Sequence, residues 1–287
     1  MILCSLFFVA GFYSSIFFSH DATVTKLRSR MLEVAEGDHD TMPHGVTGEA
    51  SIDSIPFQVL SWKPRALHFP KFATPKQCES IIKMAKSKLK PSSLALRKGE
   101  TAENTKGTRT SSGTFVSGSE DETGTLHFIE KKIAKATMIP LSHGEKWYEA
   151  ISNLDVSHGF RKEAFNILRY EIGQKYDSHY DAFNPDEYGP QSSQRAASFL
   201  LYLSNVEEGG ETVFPFENDS AVSSGFDYKQ CVGLKVKPRQ GDGLLFYSLF
   251  PNGTIDRTSL HGSCPVIKGE KWVATKWIRD QSWTVDD

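Results

Sequence analysis

Tyr176-Asp177-Ser178-His179-Tyr180-Asp181-Ala182-Phe183 lies between an apolar run, Phe165 to Tyr170, and a Pro/Gly-containing loop, Asn184 to Pro190. A β-strand projects residues i and i+2 from one face, so a strand reading points His179 and Asp181 the same way. The surroundings support strand geometry. Phe165–Tyr170, Ala197–Leu203, Gly233–Val236, Leu244–Phe250 and Trp272–Ile278 are short strand-like runs. Gly209-Gly210, Pro238, Gly241-Asp242-Gly243 and Asn252-Gly253 punctuate them as turns.

Upstream the periodicity changes. Thr74-Pro75 supplies a capping hydroxyl and a proline at the first helical position. Cys78, Ile81, Ile82 and Ala85 then line one helical face. Leu126, Ile129, Ile133 and Ala136 predict a second amphipathic helix that ends before Pro140. Helices followed by many short strands predict an α+β domain, namely a jelly-roll barrel (double-stranded β-helix) backed by N-terminal helices.

Such a barrel can gather distant residues. His261 follows His179 by 82 positions, directly after a loop and before the Trp272 strand. With His179 and Asp181 it makes a 2-His-1-carboxylate set, which covers one octahedral face of a metal and suits non-haem Fe(II). Lys271, ten residues past His261 in an apolar strand, needs an anionic partner there. The far carboxylate of a dicarboxylic co-substrate is a suitable one. These four residues predict an Fe(II)- and 2-oxoglutarate-dependent dioxygenase. An HxD pair alone would be weak; the distal His and the buried Lys sharpen it.

The 287 residues carry 39% hydrophobic and 24% charged side chains, ordinary for a globular protein. A net charge of −2 gives no case for a nucleic-acid partner. Residues 1–19 are apolar and uncharged, close to the roughly 20 residues that span a bilayer. They lack the basic start and the small-residue cleavage site of a signal peptide, so we expect a transmembrane signal-anchor. Residues 20–58 read as a polar stem.

Orientation has two opposed signals. Lys26, Arg28 and Arg30 follow the anchor and nothing basic precedes it, which by itself would leave the body cytosolic; a start some residues upstream would remove that conflict. Two N-glycosylation sequons, at Asn218 and Asn252, favour a lumenal body. We expect a single-pass type II protein of the endoplasmic reticulum or Golgi membrane. Cys78, Cys231 and Cys264 contain no CxxC pair, which argues against structural zinc. One bridge and one free thiol would suit an oxidising lumen, with the pairing open.

From Trp62 to Gln281 the chain resembles prolyl 4-hydroxylases, most closely the plant membrane-anchored type. The stretches that carry the resemblance are SWKPRALHFPKFATPKQCESI, RTSSGTF, ILRYEIGQKYDSHYDAF, FLLYLSNVEEGGETVFPFE, GLKVKPRQGDGLLFYSLFPNG and LHGSCPVIKGEKWVATKW. It implies a catalytic domain over residues 59–283 that hydroxylates peptidyl proline at C4 in proline-rich proteins. Fe(II) would sit on His179, Asp181 and His261. Lys271, Tyr170 and Thr212 would hold 2-oxoglutarate, O₂ would be consumed, and L-ascorbate would keep the iron reduced. Arg109, Ser111, Tyr176, Arg195 and Trp277 would face the peptide. Association with related hydroxylases is a further implication. We expect no separate peptide-binding or C-terminal cysteine-rich domain, since the chain stops soon after Trp283.

One departure stands out. Lys146 to Glu163 interrupts the family pattern between PLSHGE and AFNILRYE, and leaves Glu145 and Glu163 as rivals for one peptide-facing acid. As a surface loop the insertion is tolerable, since closure entropy grows slowly with length. Exposed Trp147, Tyr148, Ile151 and Leu154 beside the groove would instead impair it. Two alternatives therefore stand beside proline hydroxylation: a catalytically silent, peptide-binding jelly-roll, and a dioxygenase of another side chain such as lysine. Asp177 and Asp186 read as solvated loop acids, and His127, His143 and His158 as structural.

Overall fold

In the computed structural model, residues 55–148, 161–219, 227 and 229–282 are described. The expected anchor, the stem up to residue 54 and most of the insertion lie outside them, and the first strand begins at Gln58, the last residue expected in the stem. Among the described residues no helix is long and apolar enough to cross a membrane.

Helix α1, Pro75–Lys86, begins as its sequence predicts. The Thr74 hydroxyl accepts from Gln77 N, the Gln77 side chain returns to the Thr74 amide, and Pro75 opens the helix. Helix α2, Thr125–Thr137, buries Leu126, Ile129 and Ile133. Beyond these, α3 is a single turn, Pro185–Tyr188, within the Asn184–Pro190 loop. The fold is thus mostly β with few helices, a shift of weight from the α+β expectation.

Fifteen strands carry the structure among the described residues. The large antiparallel sheet contains β1 (Gln58–Trp62), β2 (Arg65–Phe69), β3 (Lys90–Pro91), β4 (Ser112–Ser117), β5 (Lys146–Tyr148), β6 (Arg161–Tyr170), β8 (Arg195–Tyr202), β12 (Gly243–Tyr247) and β15 (Lys271–Arg279). A smaller sheet has the order β11 (Leu234–Val236), β10 (Thr212–Phe214), β13 (His261–Ser263), β7 (Tyr176–His179). A separate pair joins β9 (Val206–Gly209) to β14 (Val266–Gly269). The chain moves from β6 in the large sheet to β7 in the small one, back to β8, across to β10 and β11, and so on to β15. That alternation of two facing antiparallel sheets is a jelly-roll.

Strand parity decides which residues meet which layer. On β8, Phe199 and Leu201 join Leu245, Ala274 and Ile167 under the two helices. Their neighbour Tyr202 turns inward, packing with Tyr170, Phe214, Phe246 and Val273 between the sheets. The large sheet is therefore apolar on both faces, which explains why β8 and β15 read as continuous buried runs instead of alternating ones.

Lys276 points outward on β15 and its Nζ meets Glu130 Oε1 of α2 at 2.6 Å, with both side chains buried. Removing one partner strands the other charge in an apolar layer. Glu130→Ala is expected to cost about 3–5 kcal/mol, a fall of roughly 10 °C in unfolding midpoint by calorimetry. Replacing both residues with aliphatic side chains should recover most of that loss.

The insertion enters the fold as a hairpin. Lys146, Trp147 and Tyr148 pair with Glu163, Lys162 and Arg161, so both ends extend the large sheet at β6, and the tip lies outside the described residues. Just before it, Gly144 bridges Ile278 and the Glu145 amide donates to the Trp277 carbonyl. The chain reaches β6 in the register that sets Tyr170 opposite Lys271.

Candidate active site

A cavity of about 840 Å³ opens between the sheets, with His179, Asp181, His261 and Lys271 on its wall. One candidate ligand atom from each of His179, Asp181 and His261 lies within 4.8 Å of the others. Their Nε2 atoms approach the Asp181 carboxylate at 3.6 Å for His179 and 3.7 Å for His261. The two histidines come together because His261 of β13 pairs directly with His179 of β7. The strand reading of the HxD pair needs one correction: β7 ends at His179, and Asp181 sits in the bend beyond it. The bend still returns its carboxylate to the histidines.

The surrounding contacts prepare these groups as ligands. His179 Nδ1 lies 2.9 Å from the Asp177 carbonyl, and His261 Nδ1 lies 3.0 Å from the Ser259 carbonyl. A carbonyl only accepts, so each Nδ1 carries the proton and each Nε2 keeps its lone pair for a metal. Burial lowers His261 to about 4, so its ring is neutral at physiological pH. Burial alone would raise the Asp181 carboxyl, yet His261, His179 and Arg195 together hold it well below the usual range. Two imidazoles that turn Nε2 to the cavity, with one carboxylate beside them, fit an Fe(II) with open positions.

Asp181 Oδ2 accepts from the Trp277 indole N–H at 3.0 Å and from the Ser198 hydroxyl. Trp277, expected to face peptide, therefore also orients the carboxylate. Trp277→Phe keeps the ring and deletes that donor. Metal affinity is expected to fall roughly 10–100-fold, as read by anaerobic titration with Fe(II), with little change in unfolding midpoint.

Lys271 is 2% exposed, with Nζ 2.8 Å from the Ser263 hydroxyl and 5.3 Å from the Tyr170 ring centre. Burial lowers its pKa to about 7, against the pull of Glu211. The Tyr170 hydroxyl lies among Arg109, Ser111 and Ser263. Thr212 bonds the Tyr202 hydroxyl at 2.8 Å. Gly209, at φ +75°, allows the turn leading to Thr212, since a Cβ there would stand 2.3 Å from the Pro265 carbonyl. Tyr202 and Ser263 are site residues that the sequence reading missed. Ser263 stands at i+2 from His261 on β13, the same signal that links His179 to Asp181.

The expected peptide-facing residues divide. Tyr176 stacks on His179 with ring centres 3.6 Å apart, and the Arg109 guanidinium lies 4.7 Å from the Tyr176 ring centre. Ser111 stands behind Arg109, taking its Nε–H at 3.2 Å and donating to Ser92, off the cavity wall. Arg195 grips Glu145 through two bonds of 2.7 and 2.6 Å, with Arg279 completing the cluster, and lies 3.9 Å from the Trp277 ring centre. Glu145 is thus the acid that meets Arg195; the side chain of Glu163 lies outside the described residues. Asp177, expected to be solvated, is half-buried and pairs with Lys175. His143 hydrogen-bonds the Arg279 carbonyl, a structural role as expected.

A family profile described as the 2OG-Fe(II) oxygenase superfamily matches residues 165–279. The chain is 68% identical over 284 residues to Probable prolyl 4-hydroxylase 9 of Arabidopsis thaliana, covering 98% of this chain and 92% of that one. It belongs to the prolyl 4-hydroxylase family. Prolyl 4-hydroxylase 13 of the same plant is 54% identical over 280 residues, covering 98% and 93%. A solved viral collagen prolyl hydroxylase from Paramecium Bursaria Chlorella virus-1, in complex with 2OG, is 25% identical with a TM-score of 0.49, over 75% of this chain and 95% of that one. As a 2OG-Fe(II) oxygenase family, the prolyl 4-hydroxylases use Fe(II), 2-oxoglutarate and O₂, typically with ascorbate. The donor set on β7, its following bend and β13 suits that iron, and the ammonium of Lys271 suits a co-substrate carboxylate.

Proposed function

We propose that this chain hydroxylates peptidyl proline at C4 in proline-rich proteins, converting 2-oxoglutarate and O₂ to succinate and CO₂. The observation that carries the reading is the convergence of His179, Asp181 and His261 in one cavity with the buried cation of Lys271. Bound Fe(II) supplies the redox chemistry that couples co-substrate decarboxylation to C–H hydroxylation, and L-ascorbate keeps it ferrous. The chain supplies position. Lys271, with Tyr170, Thr212 and Ser263 around it, would take the far carboxylate of 2-oxoglutarate. Ser198 and Trp277 would hold the Asp181 carboxylate in place. Tyr176, Arg109, Arg195 and Trp277 offer aromatic faces and fixed cations to an extended peptide, and polyproline II, free of internal hydrogen bonds, suits such a wall.

The described ends of the insertion support activity over a silent role, because Glu145 keeps its Arg195 partner and β6 its register with β15. Succinate release by the full chain, with Fe(II) and ascorbate, tests the proposal. Stimulation by a proline-rich peptide, with 4-hydroxyproline in the product, is the expected result. Stimulation by a lysine peptide alone would move the activity to another side chain. Folded protein that neither binds nor turns over 2-oxoglutarate would establish the silent reading.

We also place the catalytic domain at residues 59–283 and read residues 1–19 as a signal-anchor, with the body in the lumen of the endoplasmic reticulum or Golgi. The uncharged run of residues 1–19 supports this. So does the disulfide between Cys231 and Cys264, a bond of oxidising compartments. Protease protection of the body in intact microsomes is the expected outcome; digestion without detergent would reverse the orientation.

A further inference from the structure

The two sequons differ in the fold. Phe250-Pro251-Asn252-Gly253-Thr254 tips a ribbon in which Leu249 pairs with Ile255. Phe250 O accepts from Gly253 N at 2.9 Å, and Phe250 N donates to Thr254 O at 2.8 Å. Pro251 and Asn252 are then the central residues of a type I turn, which favours proline first, and Gly253, at φ +82°, takes the left-handed bulge position. Phe250 and Thr254 stand opposite each other, so their side chains rise from the same face. Thr254 fixes Asn252 on that face, its hydroxyl and amide donating to Asn252 Oδ1 at 2.7 and 3.1 Å. Phe250, two residues away on the same loop tip, is 41% exposed.

Asn218 is placed differently. Its backbone is left-handed, its amide nitrogen donates to the Lys63 carbonyl at 2.6 Å, and its side-chain Nδ2 donates to Glu217 Oε1 at 2.6 Å. A glycan would replace one of the two hydrogens on that Nδ2 and would have to share the nitrogen with the Glu217 contact. Nδ2 of Asn252 has no such partner among the described residues.

We infer that Asn252, and not Asn218, carries an N-linked glycan whose first sugar packs on the exposed ring of Phe250. The hydrogens on one face of a pyranose are apolar and slightly positive, and match the negative face of an aromatic ring. In the transfer, Asn252 Nδ2 bonds to C1 of an oligosaccharide carried on a polyprenyl diphosphate. The C1–O bond breaks, the diphosphate leaves with the electron pair, and the amide proton passes to a base. No redox partner is needed. The inference rests on the lumenal reading above.

The test expresses the full chain in a secretory eukaryotic host, with an added sequon tag after Asp287 as a topology control, and maps glycopeptides by mass spectrometry. Expected results are a glycan at the tag and at Asn252, none at Asn218, and loss of one glycan in Asn252→Gln. Phe250→Ser should then lower the unfolding midpoint of the glycosylated protein by several degrees more than that of the enzymatically deglycosylated protein. A glycosylated tag with bare Asn252 would overturn the site while leaving the lumenal reading intact. A bare tag would overturn both. Comparable occupancy at Asn218, or equal effects of Phe250→Ser in both forms, would overturn the structural distinction.

Discussion

Asp181→Ala is expected to abolish succinate release, by on the order of 1000-fold or more, beyond the roughly 10–100-fold carried by outer partners of metal ligands. Asp181 would be the only anionic ligand, and it is pinned by Ser198, Trp277 and the two histidines. Alanine removes the ligand and also leaves the buried Ser198 hydroxyl and the half-buried Trp277 indole without their acceptor, so part of the loss would be structural. Asp181→Asn separates the two effects. It keeps shape and an acceptor oxygen for Trp277 while losing the charge, so folding should survive and metal binding should not. Anaerobic Fe(II) titration beside calorimetry reads both quantities. Near-normal turnover by a folded Asp181→Asn variant would remove this carboxylate from the metal.

Lys271→Met should raise the Kd for 2-oxoglutarate on the order of 100-fold or more, the scale for removing one partner of a buried ion pair. The wild-type protein adds a pH signature. Burial lowers the Lys271 amine to about 7 in the empty site. A carboxylate partner favours the ammonium, so binding takes up a proton whenever the amine starts out neutral. Affinity should therefore be flat below about pH 6 and should weaken above pH 7, approaching tenfold per pH unit. Calorimetric titrations in buffers of different ionisation enthalpy would show the proton uptake directly. Proton uptake should vanish in Lys271→Met. A wild-type affinity unchanged between pH 7 and 9 would place the co-substrate carboxylate elsewhere.

The candidate site was legible because residues able to bind a metal and a buried cation are rare residue types in constrained positions. The i, i+2 spacing of His179 and Asp181, a distal histidine, and Lys271 inside an apolar strand each break the pattern of a plain core. The helix at Thr74 was equally local, since its cap, its proline and its apolar face lie within one short segment. Less of the sheet was readable. Gln58–Trp62 and Arg65–Phe69 are five-residue strands around a turn, with mixed polarity, and only the pairing of β2 with β12 joins this hairpin to the large sheet. The apolar runs of β8 and β15 hid which parity faces the cavity, because both faces are buried.

By itself, then, the amino-acid sequence determined the candidate ligand set, the buried cation, the N-capped first helix and the family to which the chain belongs. Only the tertiary structure decided that Glu145 meets Arg195, that the Trp277 indole serves Asp181, that Tyr202 and Ser263 join the site, and that Cys231 pairs with Cys264. The physical reason is range. Spacing and periodicity report what a few neighbouring residues do together, whereas these contacts join residues 8 to 96 positions apart. They exist only after the two sheets have packed and their registers are set.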